Sequence, residues 1–411
     1  MKVLVVNVFF DPYTFGGATI VAENMAEQLH GEHGFAVTAL SGRYDRLPCP
    51  SIVRYRTKYG HEAFSVGLPH PETYEQKFKN PSFVPPFIDV LDHVRPDVIH
   101  VHCIQNLGAG FFDAIVERGI PFVVTVHDFW WLCERQFMLD TQNKFCDQRK
   151  IDVRICAVCS GEETRVRRRL NYLLAQLEKA NLVLTPSNFA RQLLIDNGLR
   201  PEKVIVNKNG VRSPSPTQGT AGRPQPSNIT RFGYIGGPGV LKGWNLIAEA
   251  FRALPPETAR LVVVDAGEAI GQSWRPEFER HKNELPIEII PAYGPDDLDR
   301  VFAELDVILC PSQWKETFGL VAREALIRDV WVIASDAGGL AEDIVDGKNG
   351  DVLPFPPTSR ALAAAISRRI GTPRAPLPFK DRVARLQDQA CELASLLREA
   401  RNDTRVDLSY A

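Results

Sequence analysis

Asp306-Val307-Ile308-Leu309-Cys310-Pro311-Ser312, followed by Glu316-Thr317-Phe318-Gly319-Leu320-Val321-Ala322-Arg323-Glu324, decides the reading of this chain. The first part is a short apolar run closed by Pro-Ser, the pattern of a buried strand. The second opens a helix, expected over Phe318–Ile327. A strand that feeds a helix through a short loop is the repeating unit of an α/β fold. Two carboxylates flank the turn with seven residues between them. Glu316 falls in the loop, and Glu324 falls about two turns into the expected helix. Phe318, Gly319 and Leu320 would supply the first N–H groups, which have no partner inside the helix. Such donors, at the positive end of the helix dipole, suit a phosphate. One carboxylate can hold hydroxyls on one side of the phosphates and the other on the opposite side. A sugar, a diphosphate and a ribose have that layout.

The same alternation runs outward in both directions. Downstream of residue 229 it predicts strands Arg231–Ile235, Leu261–Val264, Ile287–Ile290 and Val330–Ala334, with helices Trp244–Leu254 and Asp297–Leu305. The N-terminal half gives strands Val3–Val8, Ala36–Leu40, Val98–His102, Phe122–Val126 and Leu182–Thr185. A helix from Thr19 to about Leu29 follows a loop with Gly16-Gly17, and further helices are predicted over Asn171–Lys179 and Phe189–Asn197. Strands alternating with helices imply parallel sheets covered on both faces. The chain therefore reads as α/β, with two Rossmann-like, doubly wound domains and a cleft between them. The expected boundaries are 1–212, a Pro/Gly/Ser-rich linker at 213–228, 229–370, and a helical tail at 371–411. A Cys-rich insertion occupies about 130–161.

Composition narrows the class. A length of 411 residues favours two domains, and 44% hydrophobic with 24% charged residues is ordinary for a globular protein. A net charge of −2 makes no case for nucleic acid as a partner. The apolar start, Met1 to Phe10, is broken by Asn7 and lacks a basic leader, so it reads as a first strand. No stretch approaches the roughly 18 apolar residues of a membrane span. Eight cysteines with no export signal point to a reducing, cytoplasmic setting.

The quoted residues, taken together, resemble glycosyltransferase family 4, the retaining nucleotide-sugar transferases of GT-B architecture. The resemblance rests on Phe15-Gly16-Gly17, Thr125-Val126-His127-Asp128, Pro186-Ser187-Asn188-Phe189 and Asn209-Gly210-Val211 in the first half. In the second half it rests on Lys242-Gly243, Pro311-Ser312, the two-glutamate stretch, Gly338-Gly339 with Glu342, and Asn349-Gly350. It implies a sugar moved from a nucleoside-diphosphate donor to an acceptor hydroxyl of a glycan, a lipid-linked glycan or a small molecule. Glu316 would hold donor-sugar hydroxyls, with the Phe318, Gly319 and Leu320 region at the sugar and phosphate. Glu324 would hold the ribose, Lys242 the diphosphate, and Gly16 and Gly17 would approach the phosphates. His127 would face the sugar near the reacting carbon. No cofactor is required for catalysis, because Lys242 and the helix N–H groups take the place of a metal.

The sequence departs from the family at two places. The usual phosphate-clamp Arg, five residues before the Lys, is Gly237 here. The turn after the two-glutamate helix reads Asp329-Val330-Trp331 instead of Gly-x-Pro. The missing Arg keeps open a second reading, a catalytically silent nucleotide-sugar-binding subunit.

Each of these residues also has a plainer reading. Glu316 and Glu324 could be ordinary surface acids, Lys242 a solvated lysine, and His127 a satisfied core histidine. His100 and His102 end another strand and are read as structural. Arg165, Arg167, Arg168 and Arg169 precede the Asn171 helix and read as a solvated face, with an acidic acceptor or a membrane surface as the sharper alternative. Cys133, Cys146, Cys156 and Cys159 fall within 27 residues. Cys156-Ala157-Val158-Cys159 is a C-x2-C knuckle of the kind zinc uses. A structural zinc is one reading of the four, and unrelated free thiols are the other.

Overall fold

A computed structural model describes residues 1–44, 50–215, 229–255 and 257–407. The chain divides into two compact units. The N-terminal unit takes Met1–Thr141, Cys146–Gly210 and Leu386–Ala411, and the C-terminal unit takes Gln142–Phe145 and Val211–Arg385. Most of the expected linker, residues 216–228, lies outside the described residues.

The N-terminal unit is built on eight strands. They are β1 (Lys2–Val6), β2 (Ala36–Tyr44), β3 (Ser51–Arg56), β4 (Glu62–Leu68), β5 (Val98–Val101), β6 (Phe122–Thr125), β7 (Leu182–Thr185) and β8 (Val204–Val206). Their order is β3-β4-β2-β1-β5-β6-β7-β8. Strands β1, β5, β6 and β7 are runs of apolar residues because parallel strands under helices are buried on both faces. The helices are α1 (Gly16–Gly31), α2 (Val84–Val94), α3 (Phe112–Glu117), α4 (Val153–Ser160), α5 (Glu163–Lys179) and α6 (Asn188–Asp196).

Two sequence expectations change here. The stretch from Tyr44 to Pro86 reads as loop, yet it carries β3 and β4, and β3 pairs antiparallel at the sheet edge. β3 is mostly exposed and holds Arg54 and Arg56, so it lacks the apolar run that marks the central strands. The helix expected from Asn171 begins at Glu163, so all four arginines lie within it. Arg167 pairs with Glu163 and Arg168 with Glu75, whereas Arg169 is buried and donates to the Trp130 carbonyl.

The C-terminal unit has six strands: β9 (Thr230–Tyr234), β10 (Ala259–Asp265), β11 (Ile287–Pro291), β12 (Val307–Cys310), β13 (Trp331–Ser335) and β14 (Gly350–Leu353). The order β11-β10-β9-β12-β13-β14 is the doubly wound 3-2-1-4-5-6 arrangement, with every neighbour parallel. Its helices are α7 (Trp244–Arg252), α8 (Arg275–Glu279), α9 (Leu298–Ala303), α10 (Leu320–Leu326) and α11 (Ser359–Arg369). Strand order reverses between β9 and β12. Loops leaving those two strands meet there, which is where open α/β sheets bind ligands.

The tail does not behave as one piece. Residues 371–385 stay with the C-terminal unit, where Arg385 bridges to Val211. The last helix, α12 (Leu386–Asp407), belongs to the N-terminal unit and packs on α1, β5 and β6. Ala390, Leu393, Ala394 and Leu397 are fully buried under it. The Gln389 side chain accepts from the Gly210 amide at 2.8 Å, closing the end of the N-terminal unit. Among the described residues no helix is long and apolar enough to cross a membrane.

If α12 completes the N-terminal core, Leu393→Ala removes buried area from that core and costs about 2–5 kcal/mol. Urea unfolding of the full chain reads this. A change within about 0.5 kcal/mol, the range of surface substitutions, would show that the helix only rests on the unit.

Candidate active site

In the C-terminal unit the site is made by two loops, one after β9 and one after β12. Buried β12 ends at Cys310, and the chain turns at Pro311-Ser312. The Ser335 hydroxyl donates to the Ser312 carbonyl at 2.7 Å, and the Ser312 hydroxyl donates to the Glu316 carboxylate at 2.6 Å. Glu316 is also held by its backbone. Its N–H donates to the Ala337 carbonyl at 2.9 Å, and its carbonyl accepts from Gly339 at 2.8 Å. The carboxylate is thus fixed in direction and almost fully buried.

The loop after β9 delivers Lys242 to it. The lysine Nζ lies 2.9 Å from the second Glu316 oxygen, and its side chain keeps 45% of its surface exposed. Gly243 makes this possible. Its φ is +84°, and a Cβ there would lie 2.2 Å from the Pro311 carbonyl oxygen. The backbones touch, and the Gln313 N–H donates to the Leu241 carbonyl at 2.8 Å. Lys242 and Glu316, expected at different parts of a ligand, hold each other in this structure. Beneath them, burial first and the Glu316 carboxylate second push the Cys310 thiol up to about 12.

The α10 start differs from expectation. Gly319 adopts φ +96° and caps a helix that begins at Leu320 and has seven residues. Phe318 therefore lies ahead of the helix and offers no helical N–H, a correction to the expected helix start. Its ring is buried under the Arg323 guanidinium, 4.0 Å from the ring centroid. Arg323 is fully buried and is the residue that the sequence alone did not mark. It pairs with Asp343 at 2.8 Å and donates to the carbonyls of Phe318, Gly339 and Leu340. The guanidinium fork thus ties the Glu316 loop to the Gly338-Gly339 turn. Glu324 lies partly buried in α10. Its carboxyl is pushed up to about 7 by desolvation, against the pull of Arg328.

Gly237, the position without the family's Arg, is confined. Its carbonyl accepts from the Tyr234 hydroxyl at 2.7 Å, and a Cβ would meet the Trp274 ring at 3.3 Å. Asp265, at the end of β10, holds that tryptophan segment by accepting from the Trp274 N–H at 2.7 Å.

The N-terminal unit has its own cluster at the β1–β5 reversal. His127 follows β6, and its Nε2 lies 2.8 Å from Nδ1 of His102, which follows β5. The two rings are nearly parallel, 12° apart. The His100 ring lies against His102, centroids 4.0 Å apart and tilted by 50°, and bonds Thr125 at 2.7 Å. Burial pushes His127 down to about 4 and His100, helped by its neighbour His127, to about 3. All three rings are neutral at neutral pH. His102, read from sequence as structural, is a direct partner of His127. Asp128 accepts from the Trp130 N–H and the Gln105 and Gln136 amides, which fixes the loop beyond. Gly16, with φ +77°, and Gly17 open α1. The loop before them is pinned by buried Glu23, which accepts from the Asp11 N–H and the Thr14 hydroxyl.

Paired Rossmann-like units of this kind constitute the GT-B architecture of sugar-nucleotide transferases. The chain belongs to glycosyltransferase family 4: the Glycosyltransferase Family 4 model matches residues 15–213, and the Glycosyl transferases group 1 model matches 231–378. Sucrose-phosphate synthase from Thermosynechococcus elongatus superposes with a TM-score of 0.62 at 18% identity, covering 100% of this chain and 98% of that one. Anabaena HepE in complex with UDP gives a TM-score of 0.61 at 19% identity, with 100% of both chains covered. These two likenesses concern the fold. In sequence, the lipopolysaccharide 1,2-N-acetylglucosaminetransferase of Salmonella typhimurium is 31% identical over 137 residues, 31% of this chain and 36% of that one. The chain spans about a third of the length of the first curated relatives it matches.

The Arg323–Asp343 pair yields a test of how the site is held. Arg323→Met takes the guanidinium away from buried Asp343 and from the carbonyls of Phe318, Gly319, Gly339 and Leu340. Breaking a buried pair this way costs about 3–5 kcal/mol. Urea unfolding should show that loss. A drop under about 1 kcal/mol would mean that the loops hold without the guanidinium.

Proposed function

We propose that this chain transfers a sugar from a nucleoside-diphosphate donor to an acceptor hydroxyl, with retention at the anomeric carbon. The observation that carries the reading is the Lys242–Glu316 pair at the strand-order reversal of the C-terminal unit. A half-exposed ammonium beside a buried, oriented carboxylate offers two complementary functions in one place. Lys242 binds the diphosphate and stabilises the charge that builds on it as it leaves. Glu316, turned by Ser312, accepts hydrogen bonds from donor-sugar hydroxyls once Lys242 engages phosphate. The Gly319 and Leu320 N–H groups add neutral donors, and the charge comes from the lysine. Glu324 takes the ribose hydroxyls. The neutral His127 ring, oriented by His102, is the N-terminal unit's candidate for a sugar contact.

Family membership and the chemistry of the site support retention. Glu316 is committed to Ser312 and Lys242, which does not suit it to act as one of a nucleophile-and-acid pair of carboxylates. A covalent double displacement needs such a pair. Departure of the diphosphate and approach of the acceptor on the same face needs only the cation and an oriented acceptor. That UDP is bound in the HepE structure supports a nucleoside-diphosphate donor. Gly237 is the observation that favours the second reading, a subunit that binds nucleotide-sugar without turning it over. It brings no cation, and Trp274 closes the space beside it.

Turnover separates the two readings. The purified chain should release nucleoside diphosphate from one of the UDP, GDP, TDP or ADP sugars, at least by slow hydrolysis. Glu316→Gln should lower that rate about ten- to hundredfold, the size of a lost charge-assisted hydrogen bond of roughly 1.5–3 kcal/mol. Lys242→Ala should weaken free nucleoside diphosphate as well as donor. Binding without any turnover would establish the silent subunit. Unchanged nucleotide binding in Lys242→Ala would remove the diphosphate from this loop.

Glu324 adds a pH signature. Its carboxyl, raised to about 7, must be ionised to accept both ribose hydroxyls. Donor affinity should therefore fall as pH drops through 7, by up to about tenfold between pH 8 and pH 6. A nucleotide-sugar is the right probe, because its diphosphate diester does not titrate in that window. The same raised value works against the fold in the other direction. Stability present below the ordinary carboxylate range is lost as pH rises toward and through 7. Glu324→Gln should remove both slopes. Identical pH profiles for the variant and the parent would take Glu324 out of the ribose site.

A further inference from the structure

Cys133, Cys146, Cys156 and Cys159 all line one enclosed cavity of about 50 Å³ in the N-terminal unit. They come from three pieces of chain: the turn after Trp131-Leu132, the loop at 146, and α4. All four are free thiols. The side-chain amide of Gln148 points its Nε2 at two of the sulfurs, 3.9 Å from Cys146 and 3.6 Å from Cys156. The amide cannot simply turn round, because its oxygen accepts from the Asp152 N–H at 2.7 Å. A donor locked toward two sulfurs suits thiolates better than thiols, since an anionic acceptor strengthens the bond.

Phe129, Trp130, Trp131, Leu132, Met138 and Leu139 are buried, but from residue 140 to residue 152 no residue is, so that stretch has little else to hold it. Residues 127–152 contain no helix or strand longer than a single bridge. Gln136, Met138, Asn143 and Asp147 all take positive φ without being glycine, which is costly unless the surroundings enforce it. Helix α4 buries only Val153 and exposes Ile155 and Val158. A segment with so small a core needs a cross-link. Among the described residues no three His, Cys, Asp or Glu side chains are grouped closely enough to hold a metal ion as they stand, so the four thiols must move to bind one. The thiols converge on the cavity with the Gln148 amide lying against two of them.

We propose that these four cysteines form a structural Zn²⁺ site, with Gln148 as an N–H donor to the ligating sulfurs. Tetrahedral Zn–S bonds of roughly 2.3 Å place the sulfurs about 3.8 Å apart, so loading draws them inward across the cavity. Four protons leave to solvent as Zn²⁺ binds, and the site carries a net charge of −2. The cavity wall carries Arg135 and Arg169 beside Glu134 and Asp140, so the lining adds no net charge of its own. Four thiolates leave no open position, so the ion holds structure and takes no part in the transfer. Its effect on the transferase site passes through Gln136, which lies in the stapled segment and donates to Asp128 beside His127. The proposal is independent of the donor-site reading above.

Metal analysis of the full chain, purified without chelator, tests it directly. One zinc per chain is expected. Four thiols should become reactive to a thiol reagent only after zinc is stripped. Cys156→Ser with Cys159→Ser should abolish the metal, while Cys391→Ser, at an exposed thiol away from the cluster, should keep it. If the double variant fails to fold, cobalt substitution of the parent chain gives the same answer, since four thiolates produce strong tetrahedral absorption and sulfur-to-metal charge transfer. The parent chain overturns the proposal if it has under a tenth of a zinc and no cobalt spectrum. So does a chain whose four cysteines are disulfide-bonded or freely reactive at the outset.

Discussion

The C-terminal site depends on one close approach of backbones. Gly243 passes so near Pro311 that no side chain fits between them. That contact brings the loop after β9 against the loop after β12 and delivers Lys242 to Glu316. The reversal of strand order supplies the opening, because the helices following β9 and β12 leave on opposite faces of the sheet. Glycine at φ +84° supplies the path, since any other residue would be both strained and blocked. The ion pair itself is half in solvent and contributes little to stability. Its value lies in placement: a mobile cation next to a fixed anion, at the end of a buried strand.

Rigid charged residues underneath the loops do the holding. Arg323 spans the Glu316 loop and the Gly338-Gly339 turn, using several donors of one planar group while Asp343 neutralises it. Glu23 does the same for the loop before Gly16, and Asp128 for the segment after His127. Each is a buried polar group with its hydrogen bonds made, so each converts a loop into a defined shape. The histidines follow a different logic. Packed together and desolvated, His100, His102 and His127 are kept neutral, so His127 offers a hydrogen-bonding ring and brings no charge.

Much of this was legible in the sequence where a pattern is local. The central strands are apolar runs of four or five residues, and their order of appearance with intervening helices requires parallel sheets. Glu316, Glu324 and Lys242 were visible because the loops that carry them contain glycine beside charge at a strand end. The edge strand β3 was not, because an exposed antiparallel strand carries arginines where the buried strands carry valines. The N-terminal turns of α5 were hidden for a related reason: a charged helix face looks like loop until something packs beneath it. The expected helix opened at Phe318, two residues before α10 begins, because the periodic pattern does not show that Gly319 takes a left-handed φ of +96°.

The sequence by itself determined the family, the two α/β units and most of the residues proposed to meet a ligand. These follow from periodicity and short-range spacing, which are properties of consecutive residues. Tertiary structure decided that Lys242 pairs with Glu316, that Arg323 buttresses the loop, that His102 orients His127, and that α12 completes the N-terminal unit. It also brought three separate pieces of chain to the cavity lined by the four cysteines. All of these join residues about 20 to nearly 400 positions apart, or, for the cysteines, pieces joined only by irregular loop. Such contacts are set by the packing of whole elements, and no local pattern encodes which of many equivalent polar side chains the sheet will bring together.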